Sequence, residues 1–292
     1  MLGRTFTLSI ALLALSYPAA LAHGPTATPS AKDPERVAVE AKPLPFKPDE
    51  ELIYEGEFSK LLLRGINIAE FKFTVEQTQA ADADKSAGAS PARLVFKGDV
   101  TARGWFRKLF GIDFHYNTES VVDPTSLLIL SNSTRDEQGS RLRTSVSVFD
   151  RIHNLLTWTL RNPNDPQSQP RVVSAPLQNA SHDLISAIYF LRTQKLEPGR
   201  NLELVISDSG AVYRIPVKVG ARKRMKSIVG QVQAVRVDIG IFGAERLVDR
   251  KGEMTLWITD DARRLPVRAR VSTDIGTLDI NLKKVAGEVS LN

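Results

Sequence analysis

The sequence predicts a mainly β protein: a large antiparallel curled sheet, a barrel or half-barrel, with one principal α-helix. Three observations predict it. Alternation of apolar and polar residues with period two begins near Phe46 and recurs in short runs almost to the end of the chain. Turn-forming segments separate those runs at nearly regular spacing, the pattern of a meander that curls on itself. A helical period stands out at one place, between Ser181 and Gln194.

The elements follow in order. Glu51 to Phe58 places Leu52, Tyr54 and Gly56 on one face of a strand. Phe71, Phe73 and Val75 alternate with Lys72, Thr74 and Glu76, whereas Ile66 and Ile68 keep the opposite phase. A bulge near Ala69 reconciles the two halves, because one extra residue flips the phase of a strand. Ala80 to Pro91 reads as a flexible hairpin loop. Strands resume at Arg93 to Thr101, Ile112 to Val122, Leu127 to Thr134, Leu142 to Phe149 and Leu155 to Arg161. Asn162 to Pro170, rich in proline and asparagine, is a loop.

In Ser181 to Gln194 the apolar residues Leu184, Ile185, Ile188 and Leu191 fall on one helix face. Ser181 is the expected cap, Arg192 and Lys195 suit the negative end of the dipole, and Pro198-Gly199 closes the element. Further strands are expected at Leu202 to Ser207, Val212 to Val219, Val232 to Ile239, Glu253 to Thr259, Val267 to Thr273 and Thr277 to Leu282. Asp260 to Arg264 is the turn of a hairpin.

The chain of 292 residues is 42% apolar and 25% charged, with no cysteine. These values exclude a disulfide scaffold, thiolate metal sites, a cysteine nucleophile and lipidation at a cysteine. Residues 1–22 read as a signal peptide: Arg4 is the positive start, Phe6 to Leu15 the apolar run, and Ala20-Leu21-Ala22 the cleavage signal. That apolar run is short of the ~20 residues a bilayer span needs, and no later segment approaches them. A periplasmic or secreted protein without a transmembrane span in its mature chain is therefore expected. Residues 23–45 have the composition of a disordered tether, and residues 46–292 read as a single β-rich domain. The net charge of +6 is modest for the length. It favours anionic lipid or glycan surfaces slightly, and export argues against nucleic acid as a partner.

Three stretches carry a resemblance. They are Pro45-Phe46-Lys47-Pro48-Asp49-Glu50-Glu51-Leu52-Ile53-Tyr54, the helix Asp183-Leu184-Ile185-Ser186-Ala187-Ile188-Tyr189-Phe190-Leu191-Arg192, and Leu256-Trp257-Ile258-Thr259-Asp260-Asp261-Ala262-Arg263-Arg264-Leu265-Pro266-Val267. In this order, behind a signal peptide, they resemble the bacterial exported family called domain of unknown function 3108. The resemblance spans roughly Phe46 to Lys283, and its last stretch is the most specific. The family usually has glycine where Asp49 stands here, and Ala80 to Pro91 looks like an insertion. The resemblance implies an exported, mostly antiparallel β protein of the cell envelope. It carries no agreed activity and no catalytic residues.

Chemical motifs are sparse. Neither the glycine-x-serine-x-glycine elbow nor the His-Glu-x-x-His zinc motif occurs, so no catalytic residue, metal site or cofactor is assigned. His115 and His153 lie on separate expected strands, which a sheet can bring together, and His182 opens the helix. The candidate ligand-binding residues fall in three groups. Trp105, Phe106, Arg107 and Lys108 form an aromatic and basic tip, suited to a lipid headgroup layer, to sugars or to plugging the sheet. Asp183, Tyr189 and Arg192 are polar groups on an otherwise apolar helix, able to line a pocket or anchor the helix. Arg263 and Arg264, beside Asp261, can grip a carboxylate or phosphate, or fasten the hairpin to its neighbour. Arg222-Lys223-Arg224-Met225-Lys226 reads as a solvated loop able to attract anionic lipid or glycan.

The leading expectation is a non-enzymatic envelope protein that carries an amphipathic ligand, a lipid or glycan portion. The alternative is a structural or assembly factor for envelope polysaccharide or outer-membrane components, working through envelope proteins. A periplasmic hydrolase built from His115, His153 and Asp183 is the third reading.

Overall fold

A computed structural model describes residues 43–78, 92–103, 113–178 and 181–287. The signal peptide, nearly all of the tether, the Ala80 to Pro91 loop and the Trp105–Lys108 tip lie outside the described residues. From Leu44 onward the chain forms one compact unit.

Among the described residues, fifteen strands make a single sheet. In chain order they are β1 (Glu51–Lys60), β2 (Leu63–Thr78), β3 (Arg93–Ala102), β4 (Phe114–Val122), β5 (Ile129–Gln138), β6 (Arg141–Asp150), β7 (Leu155–Arg161) and β8 (Arg171–Pro176). After the two-residue β9 (Ser181–His182) comes the helix α1 (Leu184–Thr193). Then follow β10 (Asn201–Asp208), β11 (Ala211–Ser227), β12 (Gly230–Ile239), β13 (Gly252–Thr259), β14 (Pro266–Thr273) and β15 (Gly276–Ala286). The spatial order runs β8 to β1 and then β15 down to β9, so the first and last strands pair in the middle of the sheet. Every ladder is antiparallel except β9 with β10.

The sheet curls without closing. Its two ends return towards each other, for a Cβ added at Gly210, in the β10–β11 turn, would lie 2.8 Å from Val173 Cβ on β8. Gly210 has φ +81°, so both its conformation and this close approach favour glycine. The inner face carries the alternating residues expected from the sequence, including buried Leu52, Tyr54, Val75 and Phe96. The bulge expected near Ala69 is present: Gly56 pairs with Ala69 but Glu57 pairs with Asn67, leaving Ile68 as the extra residue.

Four details differ from expectation. Asp183, not Ser181, caps α1: its side chain accepts from Ser186 N at 2.8 Å while Ser186 Oγ accepts from Asp183 N at 3.0 Å. This reciprocal box outcompetes Ser181, whose hydroxyl is donated to Gln178 O while its backbone joins β9. Arg222 to Lys226 is not a loop but the far half of β11, paired with Val235 to Gln231. A register shift between Val219 and Arg222 lets that half continue as a strand while its cations stay in solvent. β8 was not expected, because an edge strand with little buried surface leaves no clear alternation. Several strands also run past their expected ends, notably β5 to Gln138 and β15 to Ala286.

α1 packs on the inner face against β3, β4 and β10. Tyr189 stacks on Phe96 at 4.2 Å between ring centroids, and Ile185 lies over Gly98. A Cβ at Gly98 would collide with Ile185 Cδ1 and come 3.2 Å from Thr118 Cγ2. The bare backbone of β3 is therefore the seat of the helix. Gly98→Val is expected to destabilise the protein by about 1–3 kcal/mol through overpacking, read as a lower urea midpoint. A midpoint equal to wild type would show that the helix does not rest there.

Candidate functional site

Two buried polar centres fix α1, one at each end. At the C-terminal end the Arg192 side chain is 1% exposed. Its guanidinium grips Glu50 through two bonds, Nη1 to Oε1 at 2.5 Å and Nη2 to Oε2 at 2.8 Å. The remaining donors reach backbone oxygens: Nη2 to Pro45 O at 3.0 Å and Arg263 O at 3.1 Å, and Nε to Arg264 O at 3.1 Å. The rings of Phe46 and Tyr189 each lie 5.2 Å from Arg192 Cζ. Burial opposes the charge on Arg192, but its hydrogen bonds to Glu50 and the charge of that carboxylate outweigh it and hold the guanidinium protonated.

The three stretches singled out in the sequence thus meet at one side chain. Tyr54 adds a further tie, donating its buried hydroxyl to Pro266 O at 2.8 Å. Asp49 stands at φ +71°, a left-handed conformation open to glycine and tolerated by aspartate. This accounts for the glycine expected there. Arg263 and Arg264 contribute carbonyl oxygens to Arg192, while their side chains turn to Asp261 and Asp260. Asp261 Oδ1 accepts from Thr259 Oγ1 and from the backbone N–H of Arg263, which folds the β13–β14 turn tightly.

At the N-terminal end lies the second centre. Asp183 Oδ2 accepts from Ser120 Oγ on β4 and from Asn132 Nδ2 on β5, the latter at 2.7 Å. Asn132 also donates to Thr118 Oγ1 at 2.8 Å. Burial raises the Asp183 carboxyl above its ordinary range, against the pull of its hydrogen bonds to Ser120, Ser186 and Asn132.

Beyond that centre the inner face of β4, β5 and β6 is polar. Cross-strand pairing sets Ser120, Asn132 and Ser147 in one row, Thr118, Thr134 and Ser145 in the next, and Tyr116, Asp136 and Arg143 in a third. Thr134 and Ser145 share a hydrogen bond of 2.7 Å, Asp136 pairs with Arg141, and Arg143 donates to Asn162. Tyr116, Thr134 and Arg143 keep partial exposure, so the wall opens to solvent at the rim away from Arg192.

Asp208, at the end of β10, faces this wall. Burial, with a lesser push from the charge of Asp183, raises its carboxyl to about 6, although a hydrogen bond from Ser209 works the other way. Burial, with lesser pushes from the charges of Asp208, Asp183 and Asp136, holds the Tyr116 phenol protonated.

The histidines do not gather. His115 pairs with Asp99 at 2.7 Å on the outer face of β3 and β4, and His153 pairs with Asp150 at 2.6 Å in the β6–β7 turn. His182 is 1% exposed, stacked on Phe190, with neither ring nitrogen hydrogen-bonded. Burial, aided by the charge of Arg151, pushes it down to about 4, so it is neutral. Among the described residues no cluster of three or more His, Asp or Glu is placed to hold a metal ion.

A separate groove of about 430 Å³ lies over β10 to β13, flanked by Phe242, with Lys218, Arg236, Asp238 and Glu253 among its lining residues. Arg236 and Thr255 both bond to Asp238 Oδ1, at 2.8 and 2.7 Å. The sequence reading missed Glu50, the β4–β6 wall and this groove. The wall had a signal, since Thr118 and Ser120 continue the inward phase set by Phe114 and Tyr116.

Residues 54–283 match the sequence model of the family described as Protein of unknown function (DUF3108). The chain belongs to this family. No match is found among curated proteins. Among solved structures, the beta-barrel-like protein of domain of unknown function DUF1849 from Brucella abortus is similar over 81% of this chain and 96% of its own. The TM-score is 0.51 at 8% sequence identity, a likeness of fold alone. Among the described residues no helix is long and apolar enough to cross a membrane.

The raised carboxyl of Asp208 has a measurable consequence. The unfolded carboxyl titrates near 3.8 and the folded one near 6, so between those values the folded state binds more protons. Its effect on stability is therefore a loss as pH rises from about 4 to 6. Asp208→Asn is expected to abolish that loss, gaining stability relative to wild type above pH 6 and little below pH 4 in urea unfolding. Equal pH profiles for the two proteins would contradict the burial of this carboxyl.

Proposed function

We propose that this protein is an exported, non-enzymatic component of the cell envelope that holds an amphipathic ligand inside its curled sheet. The ligand is a lipid or glycan portion whose polar part lies against the β4–β6 wall. The observation that carries this reading is the division of the inner face. Apolar residues and α1 fill the part around Phe96 and Tyr189. Hydroxyl, amide and charged groups line the part from Ser120 to Arg143, and its outer rows stay partly exposed. A wall of this kind offers many hydrogen bonds at an open rim and suits a polyhydroxylated or zwitterionic group. The apolar run and cleavage signal in residues 1–22 support export. The separate pairing of His115 and His153 with aspartates supports a binding role over hydrolysis.

A second reading has its own observation. Among the described residues β8 is an edge of the sheet, with Val172 57% exposed, which suits a strand added by an envelope partner. The two readings separate in one experiment. Native mass spectrometry of protein recovered from the envelope, followed by organic extraction, is expected to show a stoichiometric lipid or glycan. Arg143→Met should then weaken retention about tenfold, as expected for loss of a charged hydrogen bond, while Lys218→Met in the outer groove should not. A protein recovered empty, and binding nothing added back, would overturn the carrier reading and turn attention to β8.

A further inference from the structure

Three consecutive leucines, Leu61 and Leu62 in the turn between β1 and β2 and Leu63 at the start of β2, point into solvent. Leu61 is 87% exposed, Leu62 99% and Leu63 45%. Leu61 has φ +49°, a left-handed conformation that favours glycine or asparagine. Soluble surfaces seldom gather apolar side chains in this way without a partner for them. The flanks are cationic. Lys60 and Arg64 bracket the leucines, no carboxylate lies between Ser59 and Asn67, and neither cation has an ion-pair partner among the described residues. The turn is held firmly from beneath, by Gly65 N donating to Ser59 Oγ at 3.0 Å and by Phe58 packed inward.

We propose that this leucine tip docks on a membrane, the leucines entering the acyl boundary while Lys60 and Arg64 meet anionic headgroups. Two features choose a lipid surface over a second copy of the chain. A narrow hairpin end offers a handful of residues, whereas a stable protein interface takes some 20–30 on each side. An apolar point between two cations also matches the layered chemistry of an anionic bilayer, where cationic side chains stay at headgroup level. The proposal is independent of the ligand reading: the tip docks whether or not the curled sheet carries a cargo.

The chain has no cysteine, so a single introduced thiol reports one position. Leu62→Cys carrying an environment-sensitive dye is mixed with vesicles of phosphatidylethanolamine and phosphatidylglycerol. Gln231→Cys, at the opposite rim beside the β11–β12 turn, is the control. The Leu62 label is expected to shift to the blue with these vesicles, and the Gln231 label to stay unchanged. In vesicle flotation Leu62→Asp should reduce binding about tenfold or more, as loss of a buried leucine predicts. Lys60→Glu with Arg64→Glu should remove the preference for phosphatidylglycerol over phosphatidylcholine. All variants are compared at equal thermal stability, which an exposed turn should preserve. An unshifted Leu62 label on bound protein, or no binding to either vesicle, would overturn the proposal. So would a dimer in solution that Leu62→Asp converts to monomer, for the occupant would then be a second copy.

Discussion

The fold depends on one charge taken out of water. A guanidinium inside a protein is tolerated only when its donors are met, and Arg192 meets them with a carboxylate and three backbone carbonyls. Those partners come from the segment before β1 and from the β13–β14 turn. The side chain therefore ties α1 to two parts of the sheet that are far apart in sequence. The residues around it serve the same end. Phe46 and Tyr189 cover the guanidinium, Asp49 takes the left-handed conformation just before Glu50, and Asp261 shapes the turn whose carbonyls face inward.

Seating the helix in this way decides what the rest of the inner face can be. α1 has ten residues, too few to fill a sheet of fifteen strands from rim to rim. Around its C-terminal half the inner wall is apolar and closely filled, with Tyr189 against Phe96. At its N-terminus Asp183 meets Ser120 and Asn132, and the wall turns polar from there to the open rim. A polar lining there involves little desolvation, because its outer rows remain in contact with water. The buried groups are satisfied by their neighbours, as Asn132 with Thr118 and Ser145 with Thr134 illustrate. The meander also places the chain's first and last strands side by side, so the sheet's centre is joined by the β1–β15 ladder and its free edges are β8 and β9.

Much of this architecture was legible in the residues because period two and period 3.6 are local properties. The phase change between Ile68 and Phe71 marked a bulge, and Leu184, Ile185, Ile188 and Leu191 marked the helix face. The misses also have physical causes. Asp183 displaced Ser181 as cap because Ser186 completes a reciprocal box, a cooperation between two side chains that composition at one position does not reveal. The cationic half of β11 continues as a strand because its backbone is paired on β12, a tertiary influence that overrides the solvated look of five consecutive residues. Glu50 lay in a recognised stretch, yet its role needed a partner 142 residues away. The polar wall needed cross-strand register, which brings Ser120, Asn132 and Ser147 into one row although each is unremarkable in its own strand.

A thermodynamic cycle at Glu50 and Arg192 tests the central claim most directly. Glu50→Leu, Arg192→Met and the double variant would be compared with wild type by urea unfolding. Each single change leaves one buried charge alone and is predicted to cost about 3–5 kcal/mol, the larger loss falling on Arg192, which also serves the three carbonyls. The double variant removes both charges and is predicted to be markedly more stable than the sum of the single losses implies. Strict additivity, or single variants as stable as wild type, would contradict the claim that this pair holds the helix in the sheet.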